Sequence, residues 1–397
     1  MRLPAAPWRS RDGLARLTEA LGAADGQVRI VGGAVRDTVL GLPVADVDLA
    51  TVHAPRESAR RIAAAGFKAV PTGIAHGTVT AVLPEQTIEV TTLRRDVATD
   101  GRHAQVAFTD DWRADAARRD FTINALSAEP DSGLVHDYFG GLDDLAAGRI
   151  RFIGAALERI AEDHLRILRF FRFQARFGRG LPDEEALAAC AARANDLMAL
   201  SRERIAQELL KLLAVADPSP TLASMVARGI LAPVLPEIGE QGVARLRALV
   251  TREQAIGDPD PLRRLAALLP RDAPVAERIA ARLKLSNASR KRIGCAAEPA
   301  IDAAPQPLAH ALGTICARDR LLLAGDVAGA EAIRDWQPPR LPLTGGELIG
   351  LGLPAGPLVA ATLQAIGRRW VSEGFPDARR ARAIAQEEVV KALTGGV

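Results

Sequence analysis

The chain has 397 residues, which is too long for one compact core and predicts two to four domains. Hydrophobic residues make up 48% of the chain and aromatic residues only 4%, a balance that favours packed helices and argues against a β-sandwich. The formal net charge is +3, but only five of the 51 basic residues are lysine. The planar guanidinium of arginine is well suited to binding phosphates. A GC-rich genome would produce the same excess of arginine.

Short apolar runs alternate with turns over residues 1–150, which predicts an α/β segment. We expect a helix over 10–25 and strands over 28–31, 44–49, 68–70, 78–83, 87–93 and 106–108. Beyond residue 150 the apolar residues recur at helical spacing over 155–177, 183–197, 202–215 and 240–253, with almost no strand signal. Breaks that contain proline then predict four domains, over 1–150, 151–215, 216–305 and 306–397.

The first chemical signal is the segment Gly32-Gly33-Ala34-Val35-Arg36-Asp37, which directly follows the first predicted strand. Two glycines between a strand and a helix leave backbone N–H groups free to approach a triphosphate, and the helix N-terminus favours an anion. The segment matches neither the GxGxxG nor the GxxxxGK[ST] pattern, so dinucleotide-binding and P-loop sites lose support. We therefore predict a phosphate cradle at this turn.

Two aspartates follow shortly afterwards. Asp46 and Asp48 stand two residues apart in the predicted strand 44–49, so we expect their side chains close together on one face. Like charges that close are unfavourable unless a cation lies between them. Two Mg²⁺ ions would fit, activating an attacking hydroxyl and neutralising the leaving pyrophosphate. Glu89 is the best candidate for a third catalytic carboxylate; the alternative for it is a surface residue on an edge strand.

A second polar cluster lies in Arg118-Arg119-Asp120-Phe121-Thr122-Ile123-Asn124. One arginine can reach a phosphate, while Asp120 and Asn124 offer acceptors to ribose hydroxyls. The alternative is ordinary helix capping by Asp120.

Arginine then recurs every third residue at Arg166, Arg169 and Arg172, among apolar side chains. A helix this apolar all round is expected to be buried, and buried arginines are costly unless an anion or a ligand pairs with them. We interpret these arginines as one side of a polar cleft for a nucleotide. The alternative is a set of structural salt bridges with Glu158, Glu162 and Asp163.

Asp163 and Arg166 indicate how a base is chosen without a nucleic-acid template. Cytosine and adenine both present an exocyclic amine beside a ring-nitrogen acceptor, which a carboxylate and a guanidinium complement. Uracil and guanine present the opposite polarity at both positions. We expect Asp163→Ala to relax discrimination against UTP and GTP.

Taken in order, these segments resemble the class II tRNA nucleotidyltransferase and poly(A) polymerase family, within the polymerase β-like nucleotidyltransferase superfamily. The match covers about residues 28–215 and includes the segments GGAVRD, DVD, RRDFTINAL, HDYFGGLDDL, EDHLR and SRERIAQEL. The resemblance implies an α+β fold, with a mixed-sheet nucleotidyltransferase head followed by an all-α neck, body and tail. It also implies that the body and tail bind tRNA.

The resemblance further implies roles for individual residues. It implies that Asp46 and Asp48 bind the metal ions and that Gly33 and Arg36 contact the triphosphate. Gly32, beside Gly33, belongs to the same predicted nucleotide-binding turn. It also implies nucleotide contacts for Arg119, Asp163, Arg166, Arg169 and Arg172. Asp120 and Asn124, proposed above for their acceptor atoms, complete the predicted nucleotide-binding residues. The implied reaction is addition of CCA to the 3′ end of tRNA from CTP and ATP.

Several other functions compete with this reading. Poly(A) polymerases share the catalytic residues, but the segment Thr72-Gly-Ile-Ala-His-Gly-Thr-Val-Thr looks like the tRNA enzymes. Partial CC-adding or A-adding enzymes remain an alternative. A phosphohydrolase is disfavoured because the histidines form no ligand cluster, and a catalytically dead tRNA-binding protein is disfavoured because no carboxylate is missing.

Three widely spaced cysteines without a CxxC motif argue against a disulfide framework and a zinc site, and predict buried apolar side chains. No apolar run reaches the roughly 20 residues of a membrane helix. The sequence therefore predicts a cytoplasmic protein without a membrane partner.

Overall fold

The chain forms two compact units, Met1–Glu240 and Gln241–Val397. The computed structural model describes residues 1–99, 104–298 and 303–394. Strands lie only in the early part of the described chain and helices follow, so the predicted α+β class is confirmed. The division into four domains stays a prediction.

Most strands of the first unit belong to one mixed sheet. The strands are β1 (Val28–Val31), β2 (Asp48–Thr51), β3 (Lys68–Gly73), β4 (Thr78–Val82), β5 (Thr87–Thr92), β6 (Arg94–Thr99), β7 (Ala104–Phe108), β8 (Ser127–Ala128) and β9 (Val135–His136). In the described chain seven of them pair in the order β3-β4-β5-β2-β1-β8-β9, while β6 and β7 form a separate hairpin. β2 and β5 run parallel, and the other neighbours in the sheet run antiparallel.

Helices surround this sheet and continue after it to the end of the unit. They are α1 (Leu14–Ala20), α2 (Gly33–Val39), α3 (Pro55–Ala64), α4 (Trp112–Ala117), α5 (Gly141–Ala147), α6 (Ala156–Glu162), α7 (Arg166–Phe177), α8 (Glu184–Ala192), α9 (Arg202–Leu213) and α10 (Ser219–Ala227). α3 packs on β3, β4 and β5 through its buried side, where Ile62 is fully enclosed. Short 3-10 helices at Pro7–Ser10 and Thr122–Asn124 complete the parts that concern the site.

The predicted strand over 44–49 is wrong, because β2 begins only at Asp48. β2 pairs with β1 from Val31 opposite Asp48 to Val28 opposite Thr51. β1 ends at Val31 before the glycine turn, so residues 46 and 47 have no β1 residue beside them to extend this pairing. Asp46 therefore lies in the irregular segment before the strand.

The predicted helix over 155–177 is also interrupted. α6 ends at Glu162, Asp163 has extended dihedrals (φ −150°, ψ 106°), and α7 begins at Arg166. The Asp163 carboxylate accepts a hydrogen bond from the N–H of Leu165, a local contact of the kind that competes with continued helix.

Aromatic rings pack the RRDFTINAL segment against α7. Phe121 is fully buried and its ring centroid lies 4.8 Å from that of Phe152 and 5.3 Å from that of Phe173. Ring pairs at this spacing add to the stabilisation that burial provides. This contact fixes the polar residues on either side of Phe121 next to the arginines of α7.

In the residues that the structure describes, the regular secondary structure of the second unit is entirely α-helical. Its helices are α11 (Glu240–Ile256), α12 (Pro261–Leu268), α13 (Ala273–Arg282), α14 (Asn287–Ala297), α15 (Pro305–Leu312), α16 (Thr314–Ala324), α17 (Val327–Ala332), α18 (Gly345–Gly350), α19 (Pro357–Ser372) and α20 (Ala378–Thr394). The last three share an apolar core that includes Leu348, Ile366 and Ile384. None of the helices described in the chain combines the length and apolar character that crossing a membrane requires.

The prediction that all three cysteines are unpaired is wrong. Cys295 on α14 and Cys316 on α16 form a disulfide with their Cα atoms 6.2 Å apart. Packing of α14 against α16 brings the two residues together, which their spacing in the sequence does not reveal. Cys190 is the buried, unpaired side chain that was expected.

Candidate active site

A cleft of about 400 Å³ opens in the first unit. Its lining residues are Gly32, Gly33, Arg36, Asp48, Arg118, Arg119, Asp120, Asn124, Asp163, Leu165, Arg166, Arg169, Phe173 and Arg204. All the predicted site residues line it except Asp46, Glu89 and Arg172. Six arginines face three aspartates in this lining, so the cleft favours a polyanionic ligand.

The turn between β1 and α2 brings backbone to one wall of the cleft. Gly32 adopts φ +66°, a conformation that L side chains rarely adopt, and a Cβ there would lie 3.3 Å from Nη1 of Arg119. Gly33 begins α2. Glycine at position 32 therefore allows both the turn and the close approach of Arg119.

Asp48 and Glu89 lie side by side on neighbouring parallel strands. Their Cα atoms are paired in the register of β2 and β5, and both residues are accessible to solvent, although neighbouring groups displace part of the water around Asp48. Lost hydration raises the pKa of Asp48, the negative charge of Glu89 raises it further, and Asp46 adds a smaller effect. Arg119 opposes this rise. A cation is therefore favoured at Asp48.

Asp46 does not line the cleft. It faces a neighbouring pocket of about 500 Å³ whose lining includes Arg11 and Gln86. In the described ranges, no group of three or more His, Cys, Asp or Glu side chains is arranged to hold a metal ion. The expected three-carboxylate cluster is thus not assembled, although Asp48 and Glu89 are adjacent.

The arginines of the RRDFTINAL segment are anchored by one buried acid. Oδ1 of Asp115 accepts hydrogen bonds from Nε and Nη2 of Arg118 at 2.9 and 2.8 Å, and Oδ2 lies 3.2 Å from Nη2 of Arg119. Burial alone would raise the pKa of Asp115, but the two arginines and the N–H of Arg94 hold it below its ordinary value. Arg118 and Arg119 are therefore fixed at the rim of the cleft.

Asp120 and Asn124 belong to a buried chain of hydrogen bonds. Nη1 of Arg36 donates to Oδ1 of Asn124 at 2.6 Å, and Nδ2 of Asn124 donates to Oδ1 of Asp120 at 3.0 Å. Nε of Arg169 donates to Oδ2 of Asp120 at 2.7 Å. Arg36 also contacts Asp37 and lies over the ring of Phe177.

This chain has two consequences for the predictions. Burial would raise the pKa of Asp120, but Arg169, Asn124 and the N–H of Phe121 hold it below its ordinary value. The acceptor atoms of Asp120 and Asn124 already accept hydrogen bonds within the protein. These two residues are therefore better suited to positioning Arg36 and Arg169 than to binding the ribose hydroxyls. Asp120 does not cap an α-helix, since the following 3-10 helix takes Phe121 as its N-cap.

The remaining arginines of α7 also have carboxylate partners. Nη1 of Arg166 donates to Glu162 at 2.7 Å, and Nη2 donates to the carbonyl of Arg118 at 2.9 Å. Arg172 pairs with Glu208 at 2.6 Å and is not among the residues that line the cleft. Of the three salt bridges considered for this helix, the structure shows the one with Glu162; the others are replaced by partners distant in sequence.

Asp163 contacts an arginine that lies outside the predicted set. Nη2 of Arg204 on α9 donates to Oδ1 and Oδ2 of Asp163 at 3.0 and 3.1 Å, and both side chains are half-exposed to the cleft. The segment SRERIAQEL contains Arg204, but nothing in its spacing relates it to Asp163. Arg118, Leu165 and Phe173 are the other lining residues that were not predicted.

Known proteins resemble this chain along most of its length. A family model described as "Poly A polymerase head domain" matches residues 28–151, and one described as "Probable RNA and SrmB- binding site of polymerase A" matches residues 182–241. The chain is 35% identical over 390 residues to "CCA tRNA nucleotidyltransferase 1, mitochondrial" of Mus musculus. That similarity covers 92% of this chain and 87% of the mouse protein.

Solved structures agree with the fold. The crystal structure of Bacillus stearothermophilus CCA-adding enzyme in complex with CTP has a TM-score of 0.75 and 26% identity, covering 96% of this chain and 99% of that one. The Thermotoga maritima CCA-adding enzyme complexed with tRNA_CCA has a TM-score of 0.69 at 23% identity, covering 96% and 95%. The second likeness concerns the fold alone.

Proposed function

Because the chain belongs to the CCA tRNA nucleotidyltransferase family, we propose that it adds CCA to the 3′ end of tRNA, taking CTP and ATP in turn into the cleft of its first unit. The observation that carries this proposal is the excess of arginine over aspartate in the cleft, with Asp48 and Glu89 adjacent at its edge. Poly(A) addition is the alternative that the names of the family models favour. The mouse protein covers far more of the chain and is named for CCA addition.

We propose that Asp46 and Asp48 hold Mg²⁺, with two ions present during the reaction. Mg²⁺ is commonly bound by one or two carboxylates together with substrate phosphates, so two aspartates and a triphosphate match its needs. Loss of hydration and the negative charge of Glu89 raise the pKa of Asp48 although Arg119 opposes them, so a cation bound at Asp48 would be stabilised. When bound, the ions would activate the 3′-hydroxyl of tRNA and neutralise the departing pyrophosphate.

The chain's own residues would bind the rest of the nucleotide. Arg119 and the backbone at Gly32 and Gly33 lie together and would contact the triphosphate. Arg36 and Arg169 are fixed by Asn124 and Asp120, so their charges are positioned before the substrate arrives. Such fixed charges stabilise the developing negative charge without reorganising during the reaction.

We propose that Asp163 selects the base by accepting the exocyclic amine of cytosine or adenine. Arg204 is the guanidinium that contacts Asp163 here, so we place it beside Arg166 as a candidate donor to the ring nitrogen. Arg166 is buried and engaged with Glu162 and two carbonyls. Arg204 is thus the more accessible of the two.

The test uses purified protein, Mg²⁺ and three tRNA transcripts, which end before CCA, after CC, or complete. Labelled CTP and ATP are supplied singly and together. We expect the first transcript to gain C, C and A and then stop, the second to gain A, and the third to remain unchanged. Reactions without Mg²⁺ are the control and should show no extension.

Other products would contradict CCA addition. Long A tails on any RNA would indicate poly(A) polymerase, and extension of only one incomplete transcript would indicate a CC-adding or A-adding enzyme. The cytoplasmic location stays a prediction, since the mouse relative is named as mitochondrial.

A further inference from the structure

The residues before α1 contact the loop that carries Asp46. Nη1 of Arg11 donates to the carbonyl of Ala45 at 3.2 Å, and Nη2 donates to the carbonyl of Val44 at 3.0 Å. Nη1 also donates to Oε1 of Gln86 at 2.9 Å. A single guanidinium therefore joins the α2–β2 loop to the turn between β4 and β5.

These two loops lead directly to the candidate carboxylates. Asp46 follows Ala45, and Glu89 lies three residues after Gln86 on β5. Arg11, Asp46 and Gln86 line the same pocket. The α2–β2 loop is mostly exposed and has no strand structure before Asp48. In its second half Val47 is buried whereas Ala45 and Asp46 are exposed, so Arg11 supplies hydrogen bonds to the exposed part.

The segment that carries Arg11 is itself firmly attached. Trp8 is buried, and its Nε1 donates to Oγ1 of Thr38 on α2 at 2.9 Å. Nη2 of Arg9 donates to the carbonyl of Pro130 at 3.1 Å. Arg11 thus extends from a fixed segment, so its hydrogen bonds can hold the loop in place.

Electrostatics supplies the reason why the loop needs holding. Asp46 and Asp48 stand two residues apart and carry like charges, so they repel each other before a cation binds. In the part of the chain that the structure describes, Arg11 makes no ion pair with either aspartate; its recorded acceptors are carbonyl and amide oxygens. Its hydrogen bonds therefore hold the loop through the backbone and do not engage the carboxylate of Asp46.

We propose that Arg11 is a positioning residue that holds the loop of Asp46 next to Asp48 and so raises the affinity of the site for a divalent cation. This inference rests on the proposed function, in which Asp46 and Asp48 are metal ligands. Without Arg11 the loop gains conformational freedom and Asp46 moves away from Asp48. Cation binding must then order the loop and bring Asp46 back, and this cost lowers the affinity for the cation.

The test measures cation binding directly. The full-length protein without nucleotide is titrated with Mn²⁺, and free Mn²⁺ is followed by its electron paramagnetic resonance signal. Arg11→Met keeps the side-chain length but removes all donors, and we expect it to bind Mn²⁺ about tenfold more weakly, the smaller end of the loss that follows when groups supporting metal ligands are removed. Arg16→Met is the matched control, because exposed Arg16 lies over the ring of Phe67 and does not contact the loop.

A kinetic measurement separates positioning from general damage. The Mg²⁺ concentration that gives half-maximal tRNA extension should rise by a similar factor in Arg11→Met, while the rate at saturating Mg²⁺ and the KM for tRNA stay close to wild type. Damage to the fold would instead lower the rate at every Mg²⁺ concentration and reduce the melting temperature.

Gln86→Met is the second variant, since it removes one of the three acceptors of Arg11 and should weaken Mn²⁺ binding less, in the same direction. It carries the test if Arg11→Met does not fold. Wild-type affinity for Mn²⁺ in both variants would overturn the role of Arg11 while leaving the proposed function intact. Failure of the wild-type protein to bind Mn²⁺ or to extend tRNA would overturn the proposed function, and this inference with it.

Discussion

The surroundings of Asp48 would favour binding of a cation but destabilise the charged carboxylate in the free protein. Loss of hydration raises the pKa of Asp48, and the charges of its register partner Glu89 on β5 and of Asp46 raise it further. A carboxylate surrounded by like charges is disfavoured in the free protein. The same arrangement attracts a divalent cation.

Removing this charge should separate activity from stability. We expect Asp48→Asn to lower the rate of CTP incorporation by about 10³-fold, since it removes several kcal/mol of metal-assisted transition-state stabilisation. The melting temperature should stay unchanged or rise, because a repulsion is relieved. Single-turnover extension and thermal unfolding give both values. Asp25→Asn, at an exposed position outside the cleft, is the control, and a destabilised Asp48→Asn would contradict this account.

Asp115 gives a prediction about pH. Its pKa is lower in the folded protein than its ordinary value, so the folded state binds this proton less tightly than the unfolded state does. Its contribution to stability is therefore complete above an ordinary pKa of about 4 and is lost as the pH falls through the lower folded value. Asp115→Asn lacks this contribution.

We expect Asp115→Asn to be less stable than wild type at pH 7 and the difference to shrink as the pH falls below about 4. Urea unfolding at several pH values measures this. Asp110→Asn, at an exposed position, should follow wild type at every pH. A constant difference between Asp115→Asn and wild type would mean that the charge of Asp115 is not responsible.

The sequence is informative about residue types at the site but less so about their partners. The alternation of polar and apolar residues over 87–93 suffices to predict that Glu89 lies on the polar face of its strand. The structure places Glu89 beside Asp48. The sequence could not show that Asp46 lies outside β2, because the start of β2 depends on where β1 ends. Arg204 was missed because its contact with Asp163 joins residues far apart in the sequence.

At the scale of elements, the interruption between α6 and α7 is decisive. Apolar spacing predicts one continuous helix, since the periodicity passes through Asp163 unbroken. The extended dihedrals of Asp163 instead direct its carboxylate to the cleft and to Arg204 on α9. Hydrophobic pattern alone could not predict this, because the break depends on a polar side chain that bonds to nearby backbone.

Three helices of the second unit are joined by buried charges. Asp319 on α16 accepts hydrogen bonds from Arg263 on α12 at 2.8 Å and from Arg292 on α14 at 2.6 Å. Asp319 is fully buried, and Arg263 is nearly so. Removing one member of such a network leaves the other charges buried without their partner.

We expect Asp319→Ala to lower the free energy of unfolding by about 3–5 kcal/mol, the usual cost of breaking a buried ion pair. Chemical denaturation of the full chain measures the change. Asp335→Ala, at an exposed position of the same unit, should stay within about 0.5 kcal/mol of wild type. Equal effects of the two changes would contradict the importance of the buried network.

At the scale of the whole molecule, the change from strands to helices near residue 150 was predictable from periodicity. The strands Ser127–Ala128 and Val135–His136 are only two residues long, so no pattern in the sequence could indicate them. The disulfide between Cys295 and Cys316 likewise depends on how α14 and α16 pack.

We propose that a single cleft selects both nucleotides. CTP and ATP share the amine-and-acceptor pattern for which we propose Asp163 as the amine acceptor, so one site would serve every step of CCA addition. The same substitution must then affect the C-adding and A-adding steps together. Separate sites for the two nucleotides would allow one step to change without the other.

The most direct test therefore measures the selectivity of Asp163→Ala with each of the four nucleoside triphosphates, on transcripts that end before CCA and after CC. Discrimination against UTP and GTP should fall at both steps by about 1–3 kcal/mol, or roughly 5- to 150-fold. Glu158→Ala, on the exposed side of α6, should keep wild-type selectivity. Unchanged selectivity of Asp163→Ala, or a loss confined to one step, would contradict a single base-selecting cleft.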